Sequence, residues 1–207
     1  MKTLKILTGL ALLIVISAFA ADNFNLLDDG YAIGDTVDDF SLKNVDGEMV
    51  SLSDYKDAKG FIVVFTCNTC PFAQANEDRI LQLDIKYKAS GYPVIAINPN
   101  DAEVKRGEDF AAMQNRARSN GYTFPYLMDG SNGVHARFGA VKTPTVFVLQ
   151  KNASGESVVR YMGSVDDSAR DAATVNEKFV ENAVDALLEG KQVKKTTTKA
   201  IGCGIKA

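Results

Sequence analysis

The order of expected elements places this 207-residue chain in the α/β class: a central mixed β-sheet flanked by helices, with an N-terminal β-hairpin extension. Three observations lead there. Residues 40–52 alternate around a tight turn. Residues 61–98 read strand, helix, strand, with both strands almost wholly apolar. Residues 145–188 read as a second hairpin followed by an amphipathic helix. Strand–helix–strand units build parallel sheets and hairpins add antiparallel edges, so the combination gives a mixed sheet covered on both faces.

The elements follow in order. Asp46-Gly47 sits between alternating runs, the usual chemistry of a two-residue hairpin turn, and Ser53 to Tyr55 reads as a short helical turn. Residues 61–66 are β-rich and apolar throughout, as in a central strand covered on both sides. From 72 to 89, Ile80, Leu81, Leu83, Ile85 and Tyr87 interleave with charges, which predicts a helix lying on the sheet and ending at Gly91. Residues 93–98 form a second buried strand. A helix is expected over 102–119, closed by Asn120-Gly121. A short extended piece at 124–127 and a short helix at 131–138, capped by Ser131, come next. Strands at 145–149 and 158–161 flank a turn. The final helix spans 175–188, with Phe179, Val180, Val184, Leu187 and Leu188 near one face.

The N-terminus reads as a separate unit. Lys2 and Lys5 precede a largely apolar run over 6–16, and Ala18-Phe19-Ala20 is a small-x-small pattern, so residues 1–20 are expected to be a signal peptide cleaved after Ala20. The run is short for a membrane span. The protein is therefore expected to be exported, periplasmic or otherwise extracytoplasmic, touching a membrane only through an uncleaved signal peptide. A domain over 21–190 and a polar tail over 191–207, carrying Cys203, complete the division. Loss of Lys2 and Lys5 leaves 21 basic against 26 acidic residues, near −5. That balance excludes a nucleic-acid partner, because phosphate binding needs concentrated basic surface.

Chemistry concentrates in Cys67-Asn-Thr-Cys70-Pro71, placed between an apolar strand and a helix start. Unpaired helix N–H groups and the positive end of the helix dipole favour a thiolate there. An acidic thiol beside a second thiol is what disulfide exchange requires. Zinc would need two more ligands, and only Cys203 and His135 remain, both distant in sequence. The pair reads as redox chemistry with no metal and no cofactor. On this reading Cys67 is the nucleophile and Cys70 the resolving thiol.

Strand, C-x-x-C, long helix, strand and a later Thr143-Pro144 together resemble the thioredoxin-like superfamily. The N-terminal hairpin and the expected helix at 102–119 resemble its redoxin (AhpC/TSA-like) branch. The ending Ile201-Gly-Cys-Gly-Ile-Lys206, with Asn98-Pro-Asn-Asp101, is similar to the peroxiredoxin-like family that carries a thioredoxin-type C-x-x-C. The resemblance implies a thioredoxin-like fold and a thiol–disulfide oxidoreductase acting on protein thiols and disulfides. It implies a cis Thr143–Pro144 segment that binds substrate main chain, and a carboxylate at Asp101 that serves proton transfer at Cys70. Asp101 also suits the cap of a helix from Ala102. Cys203 is an accessory thiol, docked near the pair, paired with another chain, or buried and inert.

Two rival functions stay open. A thiol peroxidase would use Cys67 with Cys70 or Cys203 as resolver. Peroxidase sites of the family carry P-x-x-x-T/S-x-x-C, and the positions three and seven before Cys67 are Val64 and Gly60, while those before Cys70 are Cys67 and Val63. A copper carrier would use Cys67, Cys70 and His135 or Cys203. His135 reads more simply as a solvated helix residue.

Overall fold

The computed structural model describes residues 30–207; the expected signal peptide lies outside them. Among the described residues no helix is long and apolar enough to cross a membrane.

Among the described residues, ten strands and four α-helices follow in chain order. Strands β1 (Thr36–Val37), β2 (Ser41–Asn44) and β3 (Met49–Ser51) precede β4 (Gly60–Phe65), α1 (Pro71–Tyr87) and β5 (Val94–Asn98). Then come α2 (Phe110–Ser119), β6 (Tyr126–Met128), α3 (Val134–Arg137), β7 (Lys142–Thr143), β8 (Thr145–Lys151), β9 (Ser157–Gly163), α4 (Phe179–Leu188) and β10 (Cys203–Gly204). Eight strands form one sheet in the order β1-β9-β8-β4-β5-β6-β2-β3, and β7 and β10 form a separate two-stranded ladder. β4 pairs with β5 in parallel and with β8 antiparallel, so the sheet is mixed as expected.

All six residues of β4 and all five of β5 are buried. β-Branched and aromatic side chains suit such strands, since both faces must be filled. Ile62 and Val64 join Ile80, Leu83 and Tyr87 of α1, Met113 of α2, and Val180 and Val184 of α4 on one face. Phe61, Val63 and Phe65 point the other way, onto Phe138, Phe147 and the N-terminal strands. Each such side chain contributes roughly 1.5–3 kcal/mol by leaving water, so β4 is anchored on both sides. That anchoring matters because β4 delivers the chain into Cys67.

Three expectations are corrected. Helix α2 begins at Phe110, not Ala102, because Gly107 takes φ +85 and Asp109 accepts the Ala112 N–H as the cap. Asp129, not Ser131, satisfies the N–H groups of Val134 and His135 at the start of α3. Helix α4 begins at Phe179: Asn176 donates to the Asp167 carboxylate and the Asp167 N–H to the Glu177 carbonyl, which holds 176–177 out of helix. The 191–207 tail is docked, one of the placements open for Cys203. Met162 donates to Thr196 and Thr198 donates back to Met162, and β10 then pairs with β7.

Candidate active site

Three segments converge on the first turn of α1. Cys70 is its N-cap residue and Pro71 opens the helix, where a missing N–H costs nothing. Cys67 precedes it by three residues, two past the end of β4. Both cysteines are 3% exposed, and all three cysteines are free thiols.

Thr143 meets both sulfurs of the pair. Its hydroxyl lies 3.0 Å from Cys67 Sγ, and its carbonyl accepts from Cys70 Sγ at 3.3 Å. The Thr143–Pro144 peptide is cis, as the resemblance implied, and both residues are buried.

The loop between the cysteines is held by a carboxylate that the sequence reading missed. Glu108, fully buried, accepts the Asn68 N–H at 2.9 Å, the Thr69 N–H at 3.0 Å, the Thr69 hydroxyl, and the Asn98 side-chain amide at 3.0 Å. Asn68 in turn donates to the Gly107 carbonyl and accepts from the Tyr126 hydroxyl, both at 2.9 Å. A buried carboxylate is tolerated where donors saturate it. The signal was present in sequence: Phe110, Met113 and Ala117 share one helical face, with Asp109 as a natural cap, which leaves Glu108 in the loop.

Asp101, to which the resemblance gave proton transfer at Cys70, makes contacts of a different kind. Its carboxylate accepts the Glu103 N–H at 2.8 Å and its carbonyl accepts from Lys105, so it organises a turn. Its own N–H donates to the Lys206 carbonyl at 2.7 Å, and Asn100 Oδ1 accepts the Lys206 N–H at 2.8 Å. The Asn98-Pro-Asn-Asp101 segment thus grips the tail rather than the thiols.

The tail brings Cys203 to the site. Cys203 lies opposite Thr143 in the β7–β10 ladder and packs on the cluster of Cys67, Cys70 and Ala73. Gly202 passes so close to Thr143 that a Cβ there would sit 1.9 Å from the Thr143 carbonyl oxygen.

The electrostatics reverse the expected order of acidity. Burial pushes the Cys67 thiol up to about 11; the Thr143 hydroxyl opposes the shift and the Glu108 charge adds to it. Burial also disfavours the Cys70 thiolate, but hydrogen bonds from the Cys203 thiol and from the Ala73, Cys203 and Phe72 amides outweigh it, leaving Cys70 below the ordinary thiol range. The helix N-terminus acts on its own cap residue, Cys70, rather than on Cys67 three residues earlier. Burial, then the hydrogen bond to Cys70, pushes Cys203 up to about 11, with Lys105 and Arg170 pulling the other way.

His135 is not a solvated helix residue: its Nδ1 lies 2.7 Å from the buried Asp129 carboxylate. Among the described residues no group of three or more His, Cys, Asp or Glu side chains is arranged to hold a metal ion.

The model of the AhpC/TSA family matches residues 33–161. The thiol–disulfide oxidoreductase ResA of Geobacillus kaustophilus is 27% identical over 161 residues, covering 78% of this chain and 88% of that protein. The crystal structure of a hypothetical protein from Sinorhizobium meliloti superposes with a TM-score of 0.77 at 32% identity, over 86% of this chain and 95% of that one. An exposed lipoprotein thioredoxin of Streptococcus pneumoniae, 20% identical over 74% of this chain and 99% of its own, superposes with a TM-score of 0.53 and shares the fold.

Proposed function

Because this chain belongs to the AhpC/TSA family, we propose that it is an exported thiol–disulfide oxidoreductase whose Cys67 and Cys70 exchange disulfides with protein thiols. The observation that carries the reading is the double contact on Thr143, hydroxyl to Cys67 and carbonyl to Cys70. It sets two thiols side by side against a segment whose main chain already pairs with a strand, β10, in the way it would pair with an extended peptide. The chain also spans most of a relative named for this activity.

The exchange proceeds in two displacements. A thiolate of the pair attacks one sulfur of a partner disulfide, that bond breaks, and the partner's other sulfur leaves as a thiolate. The second cysteine of the pair then attacks the mixed disulfide, closing Cys67–Cys70 and releasing the partner as a dithiol. Run backward, the same steps oxidise a partner dithiol. In the reduced, tail-docked state Cys70 is the more acidic of the two thiols, since hydrogen bonds lower it while burial raises Cys67. Glu108 fixes the loop between the sulfurs and Thr143-Pro144 receives the partner backbone. Asp101 is left outside the chemistry.

The test is turnover of a disulfide-bonded model peptide in a glutathione buffer by wild type, Cys67→Ser and Cys70→Ser. Both variants should lose turnover, and the variant lacking the resolving thiol should accumulate a mixed disulfide. Wild-type turnover in either variant overturns the reading. Hydrogen peroxide in place of the peptide tests the peroxidase alternative. Export is checked by expressing the full chain in a Gram-negative bacterium, where the protein should appear in the osmotic-shock fluid shortened by residues 1–20.

A further inference from the structure

The tail occupies the ground that an incoming peptide would need. β10 is the strand paired with β7, antiparallel, with Cys203 opposite Thr143 and Gly204 opposite Lys142. It is held at both ends: upstream Thr196 and Thr198 pair with Met162, and downstream Lys206 is bound by Asn100 and Asp101. The approach is close because residue 202 is glycine; any side chain there would strike the Thr143 carbonyl. The thiol so delivered packs on Cys67 and Cys70 themselves. Strand pairing gives main-chain affinity and a fixed register decides which side chain meets the site.

We propose that the tail is a tethered imitation of a protein substrate and that Cys203 is a third exchange thiol, which takes the disulfide over from Cys67 at Cys70. The inference rests on the proposed exchange function, which supplies the Cys67–Cys70 disulfide. From that state the Cys203 thiolate attacks Cys70 Sγ. The Cys67–Cys70 bond breaks as the Cys70–Cys203 bond forms, and Cys67 leaves as a thiolate that takes up the proton Cys203 gave up. One disulfide and one thiol stand on each side, so no outside oxidant or reductant is consumed. The product carries Cys67 as a free thiol, with the tail covalently closed over the site.

The full chain is equilibrated in a glutathione buffer, quenched with acid, alkylated and mapped by peptide mass. In wild type, a Cys70–Cys203 linked peptide should appear beside the Cys67–Cys70 one. In Cys67→Ser, Cys70–Cys203 should be the main species, and alkylation of Cys203 should fall about tenfold against the reduced protein. Cys67→Ser carrying glutathione on Cys70 with Cys203 still alkylatable overturns the proposal, as does wild type that never links Cys203. Mapping the wild type keeps the test valid should Cys67→Ser fail to fold. The two readings fail separately. Wild type that turns over the model peptide without linking Cys203 keeps the exchange function and loses the relay. Wild type that links Cys70 to Cys203 without turning over the peptide does the reverse.

Discussion

Glu108 accepts the backbone N–H of Asn68 at 2.9 Å across 40 residues of sequence. The loop that spaces the two sulfurs is therefore set by a distant carboxylate as much as by its own residues.

Glu108→Ala should destabilise the reduced protein by roughly 3 kcal/mol in urea denaturation, because the amides of Asn68, Thr69 and Asn98 lose a buried acceptor together. Glu108→Gln keeps the volume but presents an amide group to donors, and should lose about half as much. It also removes a negative charge that disfavours the Cys67 thiolate, so the Cys67 titration midpoint should fall. A loss within experimental error for the alanine variant would remove the clamp from the account.

Thr143→Val deletes the hydroxyl that stabilises the Cys67 thiolate from 3.0 Å. A hydrogen bond of this kind is worth about 1 kcal/mol, which corresponds to roughly a fivefold loss of thiolate at fixed pH. Titration of thiolate ultraviolet absorbance in a background lacking Cys70 and Cys203 reads this directly. An unmoved midpoint would mean that burial alone controls Cys67.

Stability should fall in alkali through Cys67. Its folded value is about 11 against an ordinary 9.0, so the fold favours the neutral thiol. That contribution is complete below about pH 9 and is lost as pH rises toward 11, by about 2–3 kcal/mol in full. Cys70, shifted downward, runs the other way: its contribution is present above the ordinary thiol range and is lost as pH falls through its folded value. Denaturation midpoints of reduced wild type and Cys67→Ser, compared across pH 8 to 11, isolate the first effect. Parallel curves for the two proteins would contradict it.

Gly202→Val should lift β10 from β7, since its Cβ would meet the Thr143 carbonyl oxygen at 1.9 Å. Cys70 alkylation and peptide turnover should both rise several-fold once the cleft is open, with a stability cost of about 1–3 kcal/mol. Unchanged alkylation of Cys70 would show that the tail does not control access.

The core of the fold was legible because its signals are local. The apolar runs ending at Phe65 and Asn98, the turn at Asp46-Gly47 and the periodicity through Ile80, Leu83 and Tyr87 each announce their element. The C-x-x-C pair and Thr143-Pro144 were legible for the same reason. What escaped depends on contacts between distant segments. Ala102 to Arg106 carries no helix breaker, so only the inward turn at Gly107, which lets Glu108 reach Asn68 and Thr69, shows why the helix starts late. The acidity order was misjudged because Cys67 looks like the helix-start residue until Cys70 is seen to be the cap. The polar Lys191 to Lys199 stretch hides its docking, since it is held by backbone bonds to Met162 that no side-chain pattern encodes.

The large sheet ends in strands of two and three residues, β1 on one side and β3 on the other. Borders that short give a foreign strand little to zip against. On the proposed exchange function, main-chain recognition falls to Lys142 and Thr143, which β10 pairs beside the sulfurs. A visitor that binds by its backbone is thus brought to the chemistry by the same contact that recognises it.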